Sequence, residues 1–140
     1  MVGQPAGYST TPLARKLGIK PEHRLLLVDA PPGWEVPDLP AGVEERRARR
    51  VPRSSSADVV VLFVRRAAEL ANLPAVGEMI FPAGAVWVAW PRKAGGHVSD
   101  VAENDLRDAA LPLGLVDVKV AALDSDWSGL KLVWRKELRQ

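Results

Sequence analysis

Two uninterrupted apolar runs dominate the pattern of the chain. Asp58-Val59-Val60-Val61-Leu62-Phe63-Val64 and Gly84-Ala85-Val86-Trp87-Val88-Ala89-Trp90 are rich in β-branched and aromatic residues and lack the alternation of a half-solvated strand. Both are too short for a typical helix, so each predicts a strand buried on both faces. Between them, Arg65 to Ile80 is rich in Ala, Leu and Glu, with Ala67, Leu70 and Ala71 on one helical face. Pro74 predicts a kink or restart after Asn72, because proline lacks the amide a helix interior needs. Strand, crossover helix and strand together predict a right-handed parallel unit with helices on either side.

The flanking segments extend this unit. Thr11-Pro12-Leu13-Ala14-Arg15-Lys16-Leu17-Gly18 predicts a short helix over about 11–17, with Thr11 as cap, Pro12 at the first helical position and Gly18 at the end. Leu13 and Leu17, four apart, dock it on the sheet. Leu25-Leu26-Leu27-Val28-Asp29-Ala30 predicts the first strand; the prolines between Pro31 and Pro40 then cut short the usual crossover helix. Val43 to Val51 is charged and bounded by Gly42 and Pro52, as suits an edge strand, and Arg53-Ser54-Ser55-Ser56 reads as a linker.

Downstream, Asp100 and Glu103 predict a capped helix start, with Ala102, Leu106, Ala109, Ala110 and Leu113 on one face and Gly114 as the stop. Leu115 to Leu123 and Leu130 to Lys136 predict an antiparallel hairpin around the turn residues Asp124 to Gly129. The whole reads as one α/β domain over 1–140, an open, mostly parallel Rossmann-like sheet with a C-terminal hairpin.

Composition narrows function more than it identifies it. A chain of 140 residues is one domain by size. The absence of cysteine excludes disulfides and thiolate chemistry and fits a cytoplasmic protein. No apolar stretch has membrane-spanning length, and the first residues lack the pattern of a secretion signal. A formal charge of +2 leaves little overall footprint for nucleic acid, so only local clusters matter.

The order of elements from Asp58 onward resembles the second half of the class I S-adenosylmethionine-dependent methyltransferase fold, with Phe81-Pro82-Ala83-Gly84 standing where that family often has a proline-glycine turn. The resemblance implies a truncated sheet in the order 2-1-3-4-6-5. It also implies two departures. The cofactor-binding glycine motif is replaced by Asp29-Ala30-Pro31-Pro32-Gly33, and Arg49-Arg50 stand where the family presents an acid to the ribose hydroxyls, so no cofactor is expected. Separately, Gly7-Tyr8-Ser9, Thr11-Pro12-Leu13, Lys16-Leu17-Gly18-Ile19, Val88-Ala89-Trp90-Pro91 and Trp127-Ser128-Gly129-Leu130-Lys131 resemble a family of small bacterial proteins without an assigned activity.

Ligands of open parallel sheets bind outside the carboxyl ends of the strands. That rule gathers Asp29, Arg65, Arg66, Trp90, Arg92 and Lys93 at one edge, with Gly95, Gly96 and His97 leading to the amides of the last helix. An anion held by Arg92, Lys93 and those amides is one account of this cluster, and a polar loop with a solvated arginine and lysine is the other. Arg46, Arg47, Arg49 and Arg50 offer an alternative patch for nucleic acid, and solvated arginines on an edge strand are the plainer account of them. His23 and His97 are isolated in sequence, which gives no metal site and no catalytic residue. The expected function is a non-catalytic binding or regulatory module for an anionic small molecule or a protein partner. A divergent enzyme acting on a nucleotide-like ligand is the alternative.

Overall fold

The computed structural model describes residues 11–53 and 55–139. Gly7, Tyr8, Ser9 and the linker residue Ser54 therefore lie outside the described residues. Six strands form one sheet: β1 (Arg24–Val28), β2 (Glu44–Ala48), β3 (Val59–Phe63), β4 (Ala85–Pro91), β5 (Leu115–Ala122) and β6 (Trp127–Trp134). Their order is β2-β1-β3-β4-β6-β5, with the first four parallel and β6 antiparallel to both neighbours. Among the described residues three α-helices accompany them, α1 (Leu13–Lys16), α2 (Leu73–Ile80) and α3 (Glu103–Ala110).

The apolar runs are continuous because both faces of the sheet are covered. Leu26, Val28, Val60, Leu62, Val86 and Val88 point to one core, filled by Leu73, Val76 and Ile80 of α2 and Leu106 and Ala110 of α3. Leu25, Leu27, Val59, Val61, Phe63 and Trp87 point to the other. Helices lie on either side as expected, but on this face the helix is only the short α1. α1 contributes Ala14, with Leu17 and Ile19 just beyond it, and the proline-rich stretch contributes Trp34 and Val36 in place of a crossover helix. Prolines 31, 32, 37 and 40 leave that stretch too few amides for a helix, so its apolar side chains cover the sheet from an irregular backbone.

Local signals held where no distant group competed. Gly18 and Gly114 close their turns at φ of 78° and 98°. The restart after Asn72 is present, with a 3-10 helix over Ala67–Asn72 running into α2. Its buried contact is Leu70, while Ala71 is exposed, because three residues per turn rotate Ala71 outward.

Three start signals are corrected. The cap position of α1 is Pro12, one residue later than expected from Thr11, and the helix begins at Leu13. Asp100 accepts from the Ala67 amide at 2.9 Å and so ties α3's approach to the crossover; α3 is capped instead by Asp105, which accepts from the amide of the exposed Ala102. β6 starts at Trp127, three residues before the expected position, because Gly129 pairs with Ala89 beneath Trp87. A Cβ on Gly129 would stand 2.9 Å from Trp87 Cε3, so glycine there permits close packing and does not mark a turn. Among the described residues, no helix is long and apolar enough to cross a membrane.

Candidate functional site

The exits of β1 and β3 meet, as the topology requires of neighbouring parallel strands. Asp29 adopts a left-handed conformation, φ 56°, and its amide donates to Ala48 O at 2.7 Å. Arg65, two residues past β3, donates to Asp29 Oδ2 and to Asp29 O, each at 2.9 Å. Its guanidinium lies 5.3 Å from the Trp127 ring centroid, above an edge-to-face stack of Trp34, Phe63 and Trp127. Asp29 and Arg65 are thus brought together, and each neutralises the other. Arg66 is exposed, and Glu69 Oε1 accepts from both the Arg65 and Arg66 amides at the start of the 3-10 helix.

At the exit of β4, Trp90 is buried at 9% exposure beside a groove of about 370 Å³ that Arg92, Lys93, Ser99 and Glu103 also line. Arg92 donates from Nη1 to Asp124 O at 3.0 Å and from its amide to Asp126 O. The two glycines serve packing. A Cβ on Gly95 would stand 2.4 Å from Ser125 O, and Gly96, at φ 84°, closes the 3-10 turn Lys93–Gly95. His97 is not isolated in space, since its Nε2 lies 2.9 Å from Asp126 Oδ1. The loop is therefore strapped to the β5–β6 turn. Asp124 holds that turn by accepting from the amides of Asp126 and Trp127 and from Trp34 Nε1. The first turn of α3 carries Glu103 and Asp105, so an anion at its amides would face two carboxylates.

The arginines of β2 divide into two pairs. Arg46 donates to Ser55 Oγ and Ser56 O, each at 3.0 Å, and Arg47 to Trp34 O, so both act within the fold. Arg49 and Arg50 lie just past the strand and, with Arg53, line a hollow of about 1020 Å³, against Glu69, Asn72 and Glu78. None of these three arginines has a hydrogen-bond or ion-pair partner among the described residues. Arg53 is the member that sequence reasoning missed. It stands in a serine-rich linker with no periodicity to place it, and only the turn after β2 brings it beside Arg49.

Across the start of the same strands, Asp58 Oδ2 accepts from the Arg24 amide at 2.7 Å and pairs with its guanidinium. Partial burial pushes the Asp58 carboxyl up, but the bonds and charge from Arg24 outweigh it and hold its pKa below the ordinary value.

No protein-family model matches the chain, and no curated protein sequence does. Several solved structures are similar to it. The O-methyltransferase NcsB1 from neocarzinostatin biosynthesis, in complex with S-adenosylmethionine and 2-hydroxy-5-methyl naphthoic acid, aligns at TM-score 0.59 and 15% identity over 93% of this chain and 51% of that one. Aeropyrum pernix fibrillarin with natively bound S-adenosyl-L-methionine aligns at 0.58 and 13%, over 86% and 73%. A SAM dependent methyltransferase from Aquifex aeolicus aligns at 0.55 and 11%, over 86% of each. The chain thus spans about half the length of NcsB1. At these identities the likeness is one of fold, and the fold is methyltransferase-like.

The residues do not fit S-adenosylmethionine as the resemblance describes its site. Pro31 and Pro32 remove amides from the turn after β1, and the Asp29 carboxylate is held by Arg65. Arginines follow β2 where an acid is expected to meet the ribose.

Proposed function

We propose that this chain is a non-catalytic binding module of methyltransferase-like fold that recognises an anionic small molecule in the hollow lined by Arg49, Arg50 and Arg53. The observation that carries the reading is that these three guanidinium groups share one concavity without a partner among the described residues. Guanidinium stays charged at any physiological pH, and its planar fork matches phosphate or carboxylate through two parallel hydrogen bonds. Three such charges in one hollow repel each other until an anion enters. The volume, about 1020 Å³, accommodates a nucleotide-sized ligand, and Asn72 and Glu78 can meet its hydroxyl or amino groups. The position agrees with the rule that ligands bind at the carboxyl edge, here beyond β2. The reading contains no catalytic step because the residues do not fit the methyl donor.

A thermal-shift and calorimetric screen of nucleotides, phosphorylated metabolites and S-adenosylmethionine tests it. A ligand at about 100 times its dissociation constant stabilises by about 2.7 kcal/mol, a rise of several degrees in Tm. The expected result is a shift with a phosphorylated compound that disappears in Arg49→Ala/Arg53→Ala and persists in Arg92→Ala. Stabilisation by S-adenosylmethionine alone, or a shift that survives the double substitution, overturns the reading. Oligonucleotide binding that falls steeply with salt replaces it with nucleic-acid recognition.

A further inference from the structure

A second group of cations lies on the α1 side of the sheet, away from the arginine hollow. Lys119 of β5 and Lys131 of β6 stand directly opposite each other in the antiparallel register, so both side chains project from the same face. Like charges placed so are destabilising. Lys131 Nζ lies 3.4 Å from the place a Cβ on Gly18 would occupy, which sets it against the turn after α1. Lys16, from α1, donates from Nζ to Ala122 O, the last residue of β5, at 2.7 Å. Lys20 follows the same turn and is exposed.

Lys16 and Lys131 are half-buried, and both hold their protons less tightly than an ordinary lysine. Burial is the larger cause for each. Repulsion adds to it, from Lys119 and Arg92 on Lys16 and from Lys119 and Lys20 on Lys131. Among the described residues no carboxylate pairs with any of the four lysines.

We infer that Lys16, Lys20, Lys119 and Lys131 form a separate binding site for an anion carrying two or more linked phosphates. Lysine is a compact charge on a flexible stem and imposes no planar geometry, so the valence of the ligand decides affinity more than its shape. A single phosphate satisfies one or two ammonium groups. Linked phosphates reach across the two strands and the α1 turn together. The site is independent of the proposed arginine hollow, because β2 and β5 are opposite edges of the sheet. Five inter-strand spacings of about 4.8 Å separate them by about 24 Å.

Isothermal calorimetry of the full chain with inorganic tripolyphosphate tests the inference. Tripolyphosphate is expected to bind more tightly than orthophosphate. Near pH 9 its binding is expected to take up protons, because a bound anion raises the depressed lysine pKa values toward about 10.4. Comparing buffers of different ionisation heat reads that uptake. Lys119→Ala/Lys131→Ala should weaken binding by about tenfold or more, equivalent to about 1.4 kcal/mol, while Arg49→Ala/Arg53→Ala leaves it unchanged. Circular dichroism and Tm confirm that the lysine variant folds, as removing two repelling charges predicts. Absence of tripolyphosphate binding, or binding that survives the lysine substitutions, overturns the inference. A single-stranded oligonucleotide that binds there more tightly than tripolyphosphate overturns the free-chain source in favour of a nucleic-acid backbone.

Discussion

Replacing Trp87 with phenylalanine isolates the bond that fastens α1 to the sheet. Trp87 is fully buried in the middle of β4, and its Nε1 donates to Leu17 O at 3.1 Å. Leu17 is itself fully buried, so its carbonyl has no water to turn to. Phenylalanine keeps an apolar ring over Gly129 and removes only the donor and part of the indole. An orphaned buried carbonyl costs about 1–3 kcal/mol. A residual void of about 30 Å³ at about 24 cal/mol per Å³ adds somewhat under 1 kcal/mol. The sum is about 2–4 kcal/mol, or a fall in Tm of about 7–14 °C at this chain length.

Trp134→Phe supplies the control. Trp134 Nε1 donates to Gly77 O at 2.8 Å, but Trp134 is only half-buried, so water replaces the lost donor and the cost falls to about 0.5–1.5 kcal/mol. Urea denaturation of both variants measures the difference, and hydrogen exchange at the amides of Leu17 and Gly18 reports whether α1 loosens. A cost for Trp87→Phe no larger than that for Trp134→Phe refutes the argument.

Two further outcomes follow from the geometry. Because the folded pKa of Asp58 is depressed, its contribution to stability is present above the unfolded value of about 3.9 and is lost as the pH falls through the lower folded value. The stability gap between the wild type and Asp58→Asn should therefore be full at neutral pH and close in the acid range below about pH 4; a gap that widens on acidification contradicts the Arg24 pairing. Gly95→Ala places a Cβ against the Ser125 carbonyl and should cost about 1–3 kcal/mol by chemical denaturation, and a neutral result would show that the loop is not strapped to the β5–β6 turn.

Legibility followed the range of the forces involved. The two apolar runs at 58–64 and 84–90 revealed their strands and their burial on both faces, because every residue in them carries the same signal, while the sheet order followed only from the resemblance to the methyltransferase fold. Caps were read less well. Thr11 and Asp100 have the chemistry of a helix start, yet the choice between Asp100 and Asp105 depended on which amide lay nearby in space. The candidate site was read in part. Asp29 and Arg65 were placed at one edge by strand direction alone, while their mutual neutralisation needed the distance between them.

Hydrophobic period and chain punctuation, which act between near neighbours, determined this protein's class and core from the sequence itself. Which charges are spent within the fold and which stay unpaired was decided only by tertiary structure. Arg46 and Arg47 are held by Ser55, Ser56 and Trp34, whereas Arg49, Arg50 and Arg53 share a hollow. Lys20 and Lys131, 111 positions apart in the chain, act on each other beside one turn, because the strength of an electrostatic interaction depends on separation in space and on burial, and no pattern along the chain encodes either.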